Sequence, residues 1–435
     1  MRIDSIQIDN FRGIDHLDIE FDPHFTLLVG DNGSGKTSIL SAVSVALGIW
    51  HVSRIVSGAK QWRNIMDHEV REVLGQDENG ERQFSPAGPV QITAIGSIGA
   101  RPAHVWTRRK RAKKSRTVDQ NAGNTVTDIH AAVAGRQNRS EPLPLLAYYG
   151  AGRAWMASNE REAADLSGDL KGRQADGYYD CLNERIRIKD VIKWFVLQAA
   201  ARDEAGRFKP AYEAVRLALA RGIPDVREIY WDHTKSEIVV AIDGIAQPFS
   251  NLSDGQRTMA STLADMAIRA VALNIHLLGN GNGPTRPEAV LDQTPGVVLI
   301  DEADVHLHPS WQRKVPADLR RAFPNIQFIC TSHSPQVFGE LPSENILLCD
   351  SESGEWRHPA RSLGMDSSRV LDEEMNAASR NQGVRQQLST LAETIEKEDF
   401  EGAQPLLKKV EETLGEDDPE VTRARTLISF LKDTK

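Results

Sequence analysis

The 435-residue sequence has no apolar run long enough to cross a bilayer, which argues against an integral membrane protein. Its first residues, MRIDSIQIDNF, alternate polar and apolar instead of placing a long apolar stretch behind a charged one, so no signal peptide is expected. Cysteine is scarce. Cys181, Cys330 and Cys349 lie far apart with no CxxC spacing, which speaks against a disulfide framework or a zinc site and fits a reducing cytoplasm. There is no internal repeat and no sustained heptad array, so neither a solenoid nor a long coiled-coil arm is expected. A net charge of −9 disfavours wholesale coating of nucleic acid but leaves room for a local basic face. What is present, 40% hydrophobic and 26% charged residues, suits a globular chain built as one large unit with insertions or as two to three subdomains.

Residues 3–8 and 17–21 (Leu17, Ile19, Phe21) alternate as half-buried strands, and Leu27-Leu28-Val29 is a short apolar strand ending at Gly30. Beyond it Ile39, Leu40, Val43, Ala46 and Leu47 recur at helical spacing, with Gly48 placed to stop the helix. Further strands are expected at 90–95, 104–107, 144–149 and 237–242, and helices between 155 and 220 and from 256 to 274. Val297–Ile300 and residues 326–331 read as strands buried on both faces, as in a parallel sheet. The Gly-, Pro- and Asn-rich stretch 279–296 is expected to be an exposed loop. From 369 onward the pattern is wholly helical. Val384, Leu388, Leu391 and Ile395 form one stripe and Phe400, Ala403, Leu407, Val410 and Leu414 another, with Asp418-Pro419 as cap and first turn of a last helix.

Three strings carry chemistry. The first, Gly30-Asp31-Asn32-Gly33-Ser34-Gly35-Lys36-Thr37, with Ser38 behind it, is GxxxxGK[ST] set between a strand and a helix. Its backbone N–H groups and helix N-terminus suit phosphates, Lys36 suits the β and γ phosphates of ATP, and the Thr37 hydroxyl suits Mg²⁺. The second is an apolar strand ending in Asp301-Glu302. Asp301 would hold Mg²⁺, and Glu302, one residue on, can polarise an attacking water as general base. The third, Leu252-Ser253-Asp254-Gly255-Gln256, precedes a helical stretch and offers a second phosphate-binding helix end, although Ser-Asp-Gly is also an ordinary turn.

In chain order, the glycine loop, then residues 252–256, then Asp301-Glu302, followed by Thr331-Ser332-His333-Ser334, the strings resemble the ATPase heads of ABC and SMC/RecF-type proteins over residues 1–350. The resemblance implies an α/β P-loop NTPase of the ABC-ATPase head type: a mixed sheet lobe, a helical signature subdomain and a small all-helical C-terminal extension. The expected division is a head at 1–360 and the extension at 369–435. Within the head, 1–150 would be the Walker A lobe, 151–275 the helical and signature insertion, and 290–360 the Walker B and switch-histidine lobe.

It further implies a homodimer, possible as part of a higher oligomer, in which Ser253, Gly255 and Gln256 of one copy close over the γ phosphate held by the other. His333 would be the switch histidine, Asp304 would lie in the D-loop at the dimer seam, and Arg12 in Asn10-Phe11-Arg12-Gly13 would face the nucleotide. For Arg12 a surface position in a turn is the alternative. Asp254 replaces the more usual glycine. No glutamine loop is evident, and Arg153 in Tyr148-Tyr149-Gly150-Ala151-Gly152-Arg153 stands at about that point. The strings LPLLAYYGAGR, LSDGQR, VVLIDEADVHLHPSWQR and FICTSHSPQVF are similar to those of the PtuA-like ATPases of the Septu and retron anti-phage systems, which implies a partner nuclease of the HNH type.

Arg108, Arg109, Lys110, Arg111, Lys113, Lys114 and Arg116 form a run without an acid, open to two readings: a hairpin that tracks DNA phosphates, or a solvated loop. His306 and His308 lack a third ligand nearby and read as structural. The acidic C-terminal helices are either a docking or oligomerisation surface or a part of the chain's own packing. Among functions, the foremost is an ATP-driven switch controlling a nuclease. A RecF- or SMC-like DNA-clamping ATPase and a low-turnover nucleotide sensor are the alternatives. A transporter ATPase fits poorly, and no strand ending in a DxD pair follows His333 to suggest an intrinsic nuclease centre.

Overall fold

The computed structural model describes residues 1–52, 63–76, 80–97, 103–121, 141–154, 177–184, 186, 188–201, 209–242, 244–279, 285–350 and 353–433. The chain divides into two compact units, Met1–Met365 and Asp366–Lys435. Parts of the helical stretch expected between 155 and 220, and the start of the loop expected at 279–296, lie outside the described residues.

In the first unit the described strands are β1 (Arg2–Phe11), β2 (Ile14–Glu20), β3 (Phe25–Val29), β4 (Glu72–Gln76), β5 (Arg82–Pro86), β6 (Val90–Ser97), β7 (His104–Lys110), β8 (Thr117–Gln120), β9 (Leu145–Tyr149), β10 (Val226–Asp232), β11 (Glu237–Ile242), β12 (Ile245–Pro248), β13 (Gly296–Ile300), β14 (Ile326–Ser332), β15 (Ile346–Cys349) and β16 (Trp356–Arg357). Strands covered on both faces are buried along their whole length, as β3, β9, β13 and β14 are, although β3 carries Thr26 and β14 carries Gln327, Thr331 and Ser332. They lie in a six-stranded sheet of order β16-β15-β3-β14-β13-β9, parallel except for β16. The alternating strands form a second, antiparallel sheet of order β2-β1-β6-β7-β8.

The helix Lys36–Leu47 packs against strands of both sheets and is buried from Ile39 to Leu47. Each such aliphatic side chain contributes roughly 1.5–3 kcal/mol by leaving water. Gln327 joins the sheets by accepting from the Ile3 N–H at 2.9 Å and donating to the Ile3 carbonyl at 2.7 Å and the Asp22 carbonyl at 2.9 Å. A buried amide that meets both partners fixes the sheets' relative position without leaving a polar atom unsatisfied. The helices Ile188–Ala200, Pro210–Gly222 and Asp254–Leu273 form a helical layer in which Trp194 stacks on Tyr212 and Phe195 meets it edge-on. A three-stranded sheet, β10-β11-β12, adjoins it.

One expectation holds and two are corrected. The helix ends at Leu47 with Gly48 as its C-cap, as expected, at a right-handed φ of −57°, and the chain continues as the short 3₁₀ helix Gly48–Val52. A side chain at Gly48 would collide with the Arg108 guanidinium, so close packing demands the glycine. The stretch 279–296 contains the helix Pro287–Gln293, started by a proline and held by buried Ala289, Val290 and Leu291. The basic run is not a uniformly exposed hairpin. Trp106, Arg108 and Lys110 alternate onto the inner face of β7. Arg108, 1% exposed, donates to the carbonyls of Val45 (2.8 Å) and Arg63 (2.6 Å) and to Asp119 (2.8 Å). Lys110 is bound to Asp67 at 2.8 Å and to the Ile65 carbonyl at 3.1 Å. Arg111, Lys113, Lys114 and Arg116 stay exposed at the β7–β8 turn.

The second unit is built on the helices Gln382–Glu396, Phe400–Leu414 and Pro419–Asp433 around Leu391, Ile395, Ala403, Leu407, Val410, Val421 and Ile428. Asn381 and Asp399 cap the first two helices, and Asp418 accepts from the Glu420 N–H at 3.0 Å at the third. Among the described residues, no helix is long and apolar enough to cross a membrane.

Candidate functional site

In a parallel sheet the strand ends converge on one edge, where loops from non-adjacent parts of the chain can meet. Here the loops after β3, β9, β13 and β14 bring together residues 30–37, Tyr149, 301–307 and 331–334.

The glycine-rich loop leaves β3 at Gly30 and turns into the helix Lys36–Leu47 through Gly33 (φ 86°) and Gly35 (φ 97°), conformations that favour residues without a Cβ. Gly35 provides no side-chain cap, so the first N–H groups of the helix are left for another acceptor. Lys36 is 6% exposed, and its Nζ donates to the carbonyls of Gly30 and Asp31, each at 2.8 Å. Burial pulls its pKa below the usual lysine value, opposed by the charges of Asp301 and Asp31. An ammonium held by neutral carbonyls can exchange them for anionic oxygens.

Asp301 directly follows β13, its N–H donating to the Tyr149 carbonyl at 2.8 Å. Its carboxylate accepts from the Thr37 hydroxyl at 2.9 Å on one oxygen and from the Thr331 hydroxyl at 2.7 Å on the other. Thr331 also accepts from the Glu302 N–H at 2.7 Å, and its carbonyl receives the Ala303 N–H at 2.9 Å. Glu302 takes a left-handed φ of 49°, which for a residue with a side chain is held in place by its surroundings. The hydroxyl of Thr37 and the carboxylate of Asp301 are hard oxygen donors of the kind that suit Mg²⁺, so this pair fits the ion.

The 302–307 loop is tied to the segment after β14 by Gln312. Its Nε2 donates to the Leu307 carbonyl at 3.0 Å, and its Oε1 accepts from the Ser334 hydroxyl at 2.7 Å. His333, half-buried, stands between Ser332 and this anchored Ser334. Asp304 has one buried carboxylate oxygen with no hydrogen-bond partner among the described residues. Thr331 and Gln312 were not singled out from sequence; their signal, a Thr two residues before the histidine and a Gln four after His308, acquires meaning only through contacts distant along the chain.

Ser253 caps the helix Asp254–Leu273 in a reciprocal box: its Oγ accepts from the Gln256 N–H at 3.3 Å, and Gln256 Oε1 accepts from the Ser253 N–H at 3.0 Å. Asp254 pairs with Arg257. Gly255 is buried against the His306 carbonyl, where a Cβ would clash, so the start of this helix is seated on the 302–307 loop of the same chain. Among the described residues the hydrogen bonds of Ser253 stay within its own helix, and none reaches the glycine-rich loop of its own chain.

Arg12 sits in the turn between β1 and β2, at φ 51°, and its guanidinium is engaged by buried Glu69 at 2.8 Å. Glu69 is shared with Arg63 at 2.7 Å; although burial opposes ionisation, the Arg63 hydrogen bond and charge hold its carboxyl below the usual glutamate range. Arg12 therefore belongs to an ion-pair cluster, a placement that neither the surface reading nor a free nucleotide-facing arginine anticipates. His308 caps the helix Pro309–Gln312, its Nδ1 lying 2.8 Å from Ser310 Oγ. The Arg153 side chain lies outside the described residues.

Fold and site define a P-loop nucleotide-binding head of the ABC type. Residues 5–205 match the AAA domain family. The chain is 26% identical over 452 aligned positions to the retron Ec83 probable ATPase of Escherichia coli, covering 87% of this chain and 77% of that one. It is 24% identical to the Septu protein PtuA of Bacillus mycoides (strain KBAB4), covering 81% of this chain but 41% of the relative. A solved SMC head bound to the C-winged helix domain of ScpA is similar at 15% identity, with a TM-score of 0.48 over 83% of this chain and 99% of that one. By sequence the chain is similar to the retron and Septu PtuA proteins and, over a 43-residue stretch, to the DNA replication and repair protein RecF of Pasteurella multocida (strain Pm70).

Proposed function

We propose that the chain binds ATP with Mg²⁺, hydrolyses it as a nucleotide-sandwiched homodimer, and uses the cycle to control a partner nuclease in an anti-phage complex. The single observation that carries the nucleotide reading is the Asp301 carboxylate gripping the Thr37 hydroxyl at 2.9 Å directly beside buried Lys36. The defence reading is supported by the likeness to proteins named as a retron ATPase and a Septu protein. The resemblance implies an HNH-type partner.

Lys36 exchanges the carbonyls of Gly30 and Asp31 for β and γ phosphate oxygens, while the uncapped N–H groups behind Gly35 and the loop from Gly30 through Asn32, Gly33 and Ser34 surround them, with Ser38 in the helix's first turn. Thr37 and Asp301 hold Mg²⁺, which when bound neutralises charge developing on the phosphates. Glu302, fixed by its N–H bond to Thr331, takes a proton from the attacking water. His333 contacts the γ phosphate, and Asp304 lies at the seam beside Glu302. Ser253, Gly255 and Gln256 of the second copy close the sandwich.

The test is particle size with and without ATP. Glu302→Gln should bind ATP and accumulate as a dimer, with turnover lowered about 10²–10⁴-fold by loss of the general base. Lys36→Ala should bind no ATP and stay unpaired. Disulfide trapping between cysteines placed at Ser253 of one copy and the glycine-rich loop of another reads the sandwich directly. A Glu302→Gln protein that gives no such crosslink with MgATP sinks the proposal.

One observation favours the DNA-clamping alternative: the β7–β8 turn presents exposed Arg111, Lys113, Lys114 and Arg116, though Lys113 is paired with Glu72 at 2.6 Å. Steady-state turnover with and without DNA separates this from a nuclease switch and from a sensor that scarcely hydrolyses ATP.

A further inference from the structure

We propose that Tyr149 is the positioning residue that couples the nucleotide end of the parallel sheet to the helix Asp254–Leu273. The inference rests on the nucleotide-sandwich reading above and assigns the link between lobes for which the sequence offers no glutamine loop.

Tyr149 is the last residue of β9 and stands opposite Ile300 in the parallel register with β13. Its carbonyl accepts the N–H of Asp301 at 2.8 Å, so its backbone fixes the residue that grips Thr37. Its hydroxyl donates to Asp265 Oδ2 at 2.7 Å, on the helix that Ser253 caps. One residue therefore holds both the carboxylate of the nucleotide site and the helix that would present Ser253 to the opposite copy. Asp265 lies twelve residues beyond Ser253, about 18 Å along the axis at 1.5 Å per residue, so a small tilt pivoting at Asp265 is enlarged at Ser253.

The pivot is stiff because the pair is dry and shared. Tyr149 is 2% exposed, and the same Asp265 oxygen accepts from Arg269 Nε at 2.7 Å. Arg269 in turn donates to the carbonyls of Gly177 at 3.1 Å and Tyr179 at 2.8 Å. That segment pairs back onto the strand end: the Tyr148 N–H reaches the Cys181 carbonyl at 2.8 Å, and the Gly150 N–H reaches the Glu184 carbonyl at 3.0 Å. Burial, with the Asp265 charge second, raises the phenol's pKa well above its ordinary value, so the hydroxyl remains a donor across the physiological range. Asp265 keeps Arg269 when the phenol oxygen is removed, so Tyr149→Phe deletes the link between lobes without stranding a charge.

The experiment is hydrogen exchange on the full chain, with MgATP as the probe, read at the starts of the helices Lys36–Leu47 and Asp254–Leu273. In the wild type MgATP slows exchange at both. In Tyr149→Phe the first stays slowed to within about twofold of wild type, and the second loses about tenfold of its slowing, as expected for one hydrogen bond to a charged acceptor. ATPase kcat falls by about tenfold while KM holds, a split that general loosening of the fold would not give. Asp265→Asn, which also strips Arg269 of its charge partner, loses at least as much slowing at the second helix, and adding Tyr149→Phe to it costs nothing further. Tyr149→Phe with wild-type slowing at both helices overturns the proposal, as does a wild type in which MgATP slows only the first. If MgATP slows neither helix in the wild type, the nucleotide reading itself fails and takes this inference with it.

Discussion

Two helices in this molecule begin in opposite ways. Lys36–Leu47 starts behind a glycine at φ 97° with no side-chain cap, whereas Asp254–Leu273 starts behind Ser253 and Gln256, which satisfy its N-terminal groups from within. Both carry the positive end of a helix dipole, and both strings suggest phosphate binding. The difference separates a terminus built around an external acceptor from one capped in part from within, whose serine must give up a 3.3 Å hydrogen bond to serve another partner. The first suits resident nucleotide. The second suits a contact that is made and released, as a hydrolytic cycle between two copies requires.

The sharpest way to break this contrast is to alter the uncapped end. Gly35→Ala places a Cβ on a backbone at φ 97°, which costs about 1–2 kcal/mol unless the loop shifts. A shift turns N–H groups away from the phosphate path, and MgATP affinity measured by calorimetry should fall by about 100-fold, since several charge-assisted bonds weaken together. Unchanged affinity would show that the missing cap has nothing to do with nucleotide.

At the capped end the two roles of Ser253 can be separated. Ser253→Ala should cost about 1 kcal/mol of stability as the cap is lost. Ser253→Asp keeps a good cap and should denature like wild type, but it sets a carboxylate against the opposite γ phosphate. ATP-dependent pairing should therefore fall by about tenfold or more in the aspartate variant, with ATP binding to the single chain unchanged. Pairing that survives the aspartate but not the alanine would make this terminus purely structural.

Much of this was legible because it is local. The glycine loop, the acids after β13 and the helix start at Ser253 are short strings whose geometry follows from neighbours in sequence, and β9 and β13 announced themselves by unbroken apolar runs. What escaped depends on distant partners. Arg108 reads as a surface charge until its bonds to Val45 and Arg63 are seen, although Trp106, Arg108 and Lys110 already share a strand face at period two. Tyr149 gains its role from Asp265, 116 positions away, and Thr331 gains its own from Asp301, 30 positions away. Pro287–Gln293 was hidden because its seven residues sit among helix-breaking neighbours and are held chiefly by burial.

The finest test concerns Gln256, grouped by sequence with the nucleotide-facing residues. Its amide is already committed: Oε1 accepts the Ser253 N–H at 3.0 Å, the half of the box that fixes how the chain enters the helix. Gln256→Ala removes that bond from a partly exposed terminus where water can replace it, so the loss should be under about 1 kcal/mol. The Ser253 hydroxyl, freed from its exact entry angle, should still reach a phosphate, and ATP-dependent pairing should change by no more than about twofold. A larger loss of pairing, with stability unchanged, would move Gln256 from the scaffold of the second terminus to its ligand face. The contrast between the two termini would then narrow, because the capped end would also hold its side chains for an external acceptor.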